Sequence, residues 1–208
     1  LLETGYVLEG GSIDVNGRGT LLTTEQCLLN PNRNGSVEKA RVERLLFDFL
    51  GASHVVWLPE GLEGDDTDGH IDDLARFVDP TTVVCAFDEE ESGTNRRVLE
   101  ENFERLRRAA DQDGRSLRVV PIPMPGIVGD AEGRLPASYA NFYIANRVVL
   151  VPVFDHPHDA EALQVLQRLF PDRQVLGVPC KDMVYGLGTI HCASMQQPSA
   201  LASSSRRG

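Results

Sequence analysis

Three times along the 208-residue chain the same order of signals recurs: two strand-like runs, a helical run and a closing strand. In the first round Tyr6–Val15 reads as a strand, Asn16-Gly17 as a tight hairpin turn and Gly19–Thr24 as the return strand. Ser36 is placed to cap a helix that runs to Leu50 through Val42, Leu45, Leu46 and Phe49. Gly51 ends it, and Val55–Leu58 is a short buried strand. The second round pairs Asp72–Val78 with Thr82–Phe87 about Asp79-Pro80, then has a helix from Arg96 to Ala110 and a strand at Leu117–Val120. After a loop rich in proline and glycine, Pro121–Gly133, come strands Ser138–Ala145 and Val148–Phe154, a helix Asp159–Phe170 and a strand Gln174–Val178. Thr189–Ser194 opens a fourth round. The expected fold is therefore α/β: about three β-β-α-β modules plus one strand, arranged about a pseudo-axis.

With the first strands innermost, Glu9, Asp72, Asn141 and Cys192 would converge at that axis, since each falls in the opening strand of its round. One stretch adds chemistry to this geometry. Between Gly64 and Leu74 lie five aspartates and His70. Beyond Gly69 a strand's alternation would put His70, Asp72 and Leu74 on one face, with Ile71 and Asp73 on the other. An imidazole beside a carboxylate could shuttle a proton next to an anchor for a cation; an acidic, solvated loop also accounts for the composition. A free thiol, with a pKa of about 8.5, needs activation before it can attack. His191, adjacent to Cys192, would face away from it on a strand, so His70 is the better partner, with Glu9 as the carboxylate that orients it. Residue type alone leaves Cys192 divided between nucleophile and core cysteine. Cys27, Cys85 and Cys180 read as core.

Composition narrows the partners. The apolar fraction of 41% and charged fraction of 25% suit a globular chain, and no apolar run is long enough to span a membrane. The net charge of -11, from 31 acidic against 20 basic residues, argues against nucleic acid and suits a cationic substrate. The four cysteines show no CxxC spacing, the acidic stretch does not keep an EF-hand register, and His70 lacks the second histidine of a zinc hydrolase. Neither metal nor cofactor is expected, and the default compartment is the cytoplasm. Residues 1–198 read as part of one catalytic domain and 199–208 as a disordered tail. The chain opens at Leu1 in strand-like sequence, which suggests a preceding segment.

Leu8-Glu-Gly-Gly-Ser-Ile13, Leu22-Thr-Thr-Glu-Gln-Cys-Leu-Leu-Asn-Pro-Asn-Arg-Asn34, Asp68-Gly-His-Ile-Asp72, Leu135–Ile144 and Ile190-His-Cys192 followed by Gln196-Gln-Pro198 carry a resemblance. In these stretches the chain resembles the agmatine deiminases and bacterial peptidylarginine deiminases of the guanidine-modifying pentein superfamily. Gly186-Leu-Gly-Thr189 departs from the family's glycine-richer segment before the cysteine. The resemblance implies an α/β-propeller and hydrolysis of agmatine to N-carbamoylputrescine and ammonia, a step of putrescine and polyamine metabolism. It makes Cys192 the nucleophile, His70 the general acid/base, Glu9 its partner and Asp72 a guanidinium ligand. It also implies five modules in all, with a further guanidinium-binding aspartate in a part not found here, so that a companion segment or a homo-oligomer would complete the site. The alternatives are a peptidylarginine deiminase-like enzyme and a non-catalytic module that binds a cation.

Overall fold

The computed structural model describes residues 5–87, 93–131 and 133–197, with side chains of 93–94 excepted. In the first module β1 (Asp14–Val15) pairs antiparallel with β2 (Thr20–Thr24). The hairpin is closed by Asn16, whose N–H donates to Thr20 O (3.0 Å) and whose Oδ1 accepts from the N–H groups of Arg18 and Thr20. Two single turns follow, α1 (Glu25–Leu28) and α2 (Pro31–Asn34), then helix α3 (Lys39–Leu50) and strand β3 (His54–Leu58), parallel to β2. The second module has β4 (Ala75–Asp79) antiparallel to β5 (Thr82–Ala86), helix α4 (Gly93–Arg107) and β6 (Arg118–Ile122), parallel to β5. A two-residue hairpin, β7 (Gly129–Asp130) with β8 (Gly133–Arg134), interrupts the connecting loop. The third module repeats the plan with β9 (Tyr143–Ile144), β10 (Val148–Val153), α5 (Asp159–Leu169) and β11 (Gln174–Pro179). Three separate three-stranded sheets result, each with one antiparallel and one parallel pair.

The β-β-α-β repeat is as the sequence indicates, but the opening strands are shorter. Tyr6–Val15 is broken after Glu9 by a 3-10 turn, Gly10–Ser12, which the Ser12 hydroxyl closes on Glu9 O (2.6 Å). Ser138–Ala145 is strand only at β9, because the Ser138 hydroxyl donates to Asp73 O (2.7 Å) and accepts from Ala140 N, bending the chain there. Thr189–Ser194 is not a strand: Ala193 N donates to Thr189 O (3.0 Å) and Ser194 N to His191 O, a helical turn. Side chains that satisfy backbone groups locally compete in this way with the sheet ladder. Helix α3 begins at Lys39 rather than Ser36; Glu38 occupies its N-cap without a side-chain cap. It ends at Gly51 in the left-handed conformation (φ 70°), with Gly51 N on Phe47 O and Ala52 N on Leu46 O. Only Val42 and Leu46 of α3 are buried, and Phe49 is exposed although its spacing suggested the inner face. The 199–208 tail lies outside the described residues.

One large apolar cluster serves the second and third modules and takes in Leu22, Val56 and Leu58 of the first, and a smaller one, centred on Leu21, Val42, Leu46 and Trp57, lies within the first. Cys27, Cys85 and Cys180 are buried within them. The modules meet at Arg76, which is 5% exposed. Its Nε donates to Asp14 Oδ1 in β1 (2.8 Å), its Nη1 to Phe142 O beside β9 (3.0 Å), and its guanidinium lies 5.1 Å from the Phe142 ring centre. One residue of β4 thus ties the inner ends of all three modules together.

Candidate active site

Glu9 precedes the Gly10–Ser12 turn in extended conformation. That turn allows Gly11 to lie directly against the side chains of His70 and Asp72. A Cβ at residue 11 would stand 2.6 Å from His70 Nδ1 and 2.8 Å from Asp72 Oδ2, closer than real contacts allow. We therefore expect Gly11→Ala to lower kcat/KM by about a hundredfold, because displacement of reacting groups by even about 1 Å costs that much. An unchanged kcat/KM would show that neither side chain needs its observed place.

His70 is delivered by a tightly knotted loop. Asp65 Oδ1 accepts from the N–H and hydroxyl of Thr67, and its Oδ2 accepts from Gly69 N (3.1 Å) and His70 N (2.9 Å). The Thr24 hydroxyl holds Gly69 O (2.6 Å). Asp68 and Gly69 both take positive φ (61° and 88°). After His70 the chain does not extend. Ile71–Asp73 is a 3-10 turn, so the alternation that would have sent Asp73 to the opposite face does not apply. Both aspartates are buried, and an oxygen of each lies with Cys192 Sγ inside a 4.8 Å cluster. Burial, then the neighbouring Asp72, pushes the Asp73 carboxyl well above the usual range.

Asn141, fully buried, pins the cysteine turn from beneath. Its Oδ1 accepts from the Thr189 hydroxyl (2.7 Å) and His191 N (3.0 Å), and its Nδ2 donates to Cys192 Sγ (3.1 Å). Gly188 is required here, since a Cβ would meet Cys192 Cβ at 2.8 Å. Cys192 Sγ lies 3.6 Å from Asp72 Oδ2, which also meets His191 Nδ1 at 2.7 Å. Because the segment is a turn rather than a strand, His191 faces the same pocket as Cys192, contrary to the sequence expectation. The outer side of Cys192 is exposed, but its sulfur is packed inward. Desolvation first, then Asp73 and Asp72, pushes the thiol up to about 12.

Glu9, His70, Asp72 and Cys192 therefore line one pocket of about 570 Å³. They come from turns flanking the short inner strands rather than from those strands. The expected Glu9–His70 contact is only a proximity. Glu9 Oε1 is taken by Arg33 Nε (2.8 Å), while Glu9 Oε2, His70 Nε2 and Asp72 Oδ1 are buried without hydrogen-bond partners. A Glu9 oxygen, a His70 nitrogen and Cys27 Sγ lie within 4.8 Å of one another. Neither this group nor the Asp72, Asp73, Cys192 group is assigned to a metal. Burial pushes the Cys27 thiol up to about 12 and raises the Asp73 carboxyl. The sequence reading turned Asp73 and His191 away from the site and gave Arg33 no role in it. Their roles depend on contacts between distant segments that no local period records.

A family model described as Porphyromonas-type peptidyl-arginine deiminase matches residues 1–198. An agmatine deiminase of Pseudomonas aeruginosa (strain LESB58) is 42% identical to the chain, covering 93% of it and 58% of that relative. The solved agmatine deiminase of Enterococcus faecalis superposes with a TM-score of 0.89 at 36% identity, over 94% of this chain and 58% of that one. An amidinotransferase of saxitoxin biosynthesis from Microseira wollei, at 12% identity and a TM-score of 0.52, covers 89% of this chain and 46% of that one and shares the fold alone. The repeated β-β-α-β architecture is thus the pentein arrangement. The chain spans 58% of the length of the curated relative.

Proposed function

The chain belongs to the Porphyromonas-type peptidyl-arginine deiminase family, and from that premise we propose that it hydrolyses the guanidinium of agmatine to a ureido group and ammonia through a covalent Cys192 intermediate. The observation that carries this reading is the pair of orphaned buried carboxylate oxygens, Asp72 Oδ1 and Glu9 Oε2, on residues that line the same pocket as the thiol. A planar cation with several N–H donors satisfies such a set, and an ion pair with a carboxylate strengthens each contact. The guanidinium also answers the thiol's difficulty. A positive charge beside Cys192 favours the thiolate that burial and the two aspartates disfavour.

In this mechanism the Cys192 proton passes to solvent as the guanidinium binds, and Sγ bonds to the guanidinium carbon. His70 gives a proton to the departing nitrogen, and ammonia leaves as the C–N bond breaks. Water then attacks the same carbon, His70 accepts one of its protons, and the other passes to solvent as the carbonyl forms and the C–S bond breaks to release the ureido product and the thiolate. One imidazole runs both halves, as acid and then as base. Asp72, held from behind by His191, keeps the cation in line; fixing geometry in this way contributes on the order of several kcal/mol.

The rest of the pocket bears on the substrate's far end. Ile13, Val15, Tyr143, Ile144 and Leu187 offer apolar surface to an alkyl chain. Among the described residues its one arginine or lysine is Arg76, already engaged by Asp14 and Phe142 O. The carboxylate of free arginine therefore meets no available cation, whereas agmatine carries none. A peptidyl-arginine also lacks the free carboxylate and is the second reading; a cation-binding module without turnover is the third. No described helix is long and apolar enough to cross a membrane, which accords with a cytoplasmic enzyme of polyamine metabolism. The test is to incubate the protein with agmatine, free arginine and an arginine peptide, and to assay ureido product and ammonia. Agmatine should exceed free arginine in kcat/KM by at least about a hundredfold, the scale on which an uncompensated buried charge discriminates. Preference for free arginine would overturn the assignment, and absence of turnover with all three would leave the binding module.

A further inference from the structure

The segment Asn30–Gly35, which contains three asparagines, a proline and a glycine, joins in the fold the two loops that carry the site's acid/base pair. Asn34 exchanges hydrogen bonds with both Val7 N (2.7 Å) and Val7 O (2.9 Å), and Asn32 Nδ2 donates to Asp68 Oδ2 (3.2 Å). Between them Arg33, whose side chain is 9% exposed, spends its guanidinium entirely inside the protein. Nε donates to Glu9 Oε1 (2.8 Å), Nη1 to Cys27 O (3.1 Å) and Nη2 to Thr67 O (2.9 Å), and Nη1 also lies 3.5 Å from Asp68 Oδ2. Three separate stretches of chain, around residues 9, 27 and 67, are thereby fixed to one planar group. The planar, always-charged fork of arginine suits this task and lysine does not.

We propose that Arg33 is a positioning residue that holds Glu9 by one oxygen, divides its negative charge, and so sets both the place and the proton affinity of His70. The inference rests on the reading of His70 as the acid/base, and it adds a residue that touches neither substrate nor thiol. Its physical content is that Glu9 cannot turn away from His70 while Oε1 is bound, that a Glu9 oxygen lies within 4.8 Å of a ring nitrogen, and that Oε2 is buried with no hydrogen-bond partner. With Arg33 charged, Glu9 favours the imidazolium less than a lone carboxylate would. The other groups around the ring set a background that Arg33 does not share. Cys27 is a protonated thiol, Asp65 and Asp68 belong to the ring's own loop, Asp72 and Asp73 follow it, and His191 and Cys192 face it across the pocket.

The test compares wild type with Arg33→Gln, Arg33→Lys, Glu9→Gln and the Arg33→Gln/Glu9→Gln pair. The His70 ring is titrated by NMR, with His70→Gln to assign its signal, and kcat/KM is measured against pH. In Arg33→Gln the His70 midpoint is expected to rise by about one pH unit, as an undivided carboxylate favours the charged ring. The pH profile of kcat/KM should move with it, and its plateau should fall about tenfold or more. Arg33→Lys should restore the midpoint but only part of the rate, and the double variant should lose the upward shift. Reduced activity with an unmoved midpoint in Arg33→Gln would reduce Arg33 to a packing residue and overturn the proposal. Should Arg33→Gln not fold, Glu9→Gln decides: its midpoint must fall, and an unmoved midpoint overturns the proposal equally. Because the NMR titration needs no substrate, failure of the agmatine reading would show in the turnover assay alone.

Discussion

Cys192→Ser is expected to lower turnover of agmatine by about ten thousandfold while leaving the fold intact, the scale on which loss of a nucleophile acts. The residue sits at the surface of its turn, and its side chain contacts only Asn141 and Asp72 among the described hydrogen bonds, so a hydroxyl fits the space. What a hydroxyl lacks is acidity. Burial and the two aspartates already push the thiol up to about 12, and only a cation in the pocket offsets them. A serine in the same surroundings is beyond the reach of the same offset. The wild-type thiol provides its own control: without substrate its alkylation by iodoacetamide should be slow at pH 7. It should then quicken about tenfold with each pH unit, since the thiolate fraction grows so below the midpoint. Substantial turnover by the serine variant would show that the nucleophile lies elsewhere, and alkylation indifferent to pH would show that the resting thiol is already ionised.

Asp72→Asn should cost about a thousandfold in kcat/KM, and Asp73→Asn no more than about tenfold. The first removes the full charge that pairs with a buried guanidinium and strands His191 Nδ1, now 2.7 Å from a carboxylate oxygen. The second alters a buried carboxyl that does not line the pocket and whose pKa burial, then Asp72, raises. Strand alternation led to the same ranking from the sequence, on the ground that Asp73 faced away. In the fold an oxygen of each lies near Cys192 Sγ, but Asp72 lines the pocket with His70 and Asp73 does not. Equal losses in the two variants would refute this account.

The repeat, the hairpin at Asn16-Gly17, the stop at Gly51 and the convergence of Glu9, Asp72, Asn141 and Cys192 could be read from the sequence. Each rests on local spacing or on repeat position. What could not be read is how the innermost segments bend. The Ser12 and Ser138 hydroxyls and the Asp65 carboxylate turn the chain where its apolar pattern suggests extension. At the cysteine the decisive partner, Asn141, is fifty residues away in the chain. Mistaking that turn for a strand also set His191 aside. Arg33 carried a different difficulty: a charged residue in a turn-rich segment reads as solvated, and only the folded chain reveals how little of it meets water.

Arg76 has a consequence for how the protein opens. It gathers Asp14, Phe77 N's partner carboxylate, and Phe142 O into one buried knot, and breaking a buried pair of this kind costs about 3–5 kcal/mol. Parting the first and second modules leaves unpaired charges beside the pocket, and lifting the third leaves Arg76 Nη1 without its carbonyl, so sub-global opening is penalised there and the three sheets should exchange their core amides as a single cooperative unit. Activity then reports on the intact population as a whole: no partly unravelled species retains a competent pocket, and heat or denaturant should extinguish catalysis and core protection on the same curve.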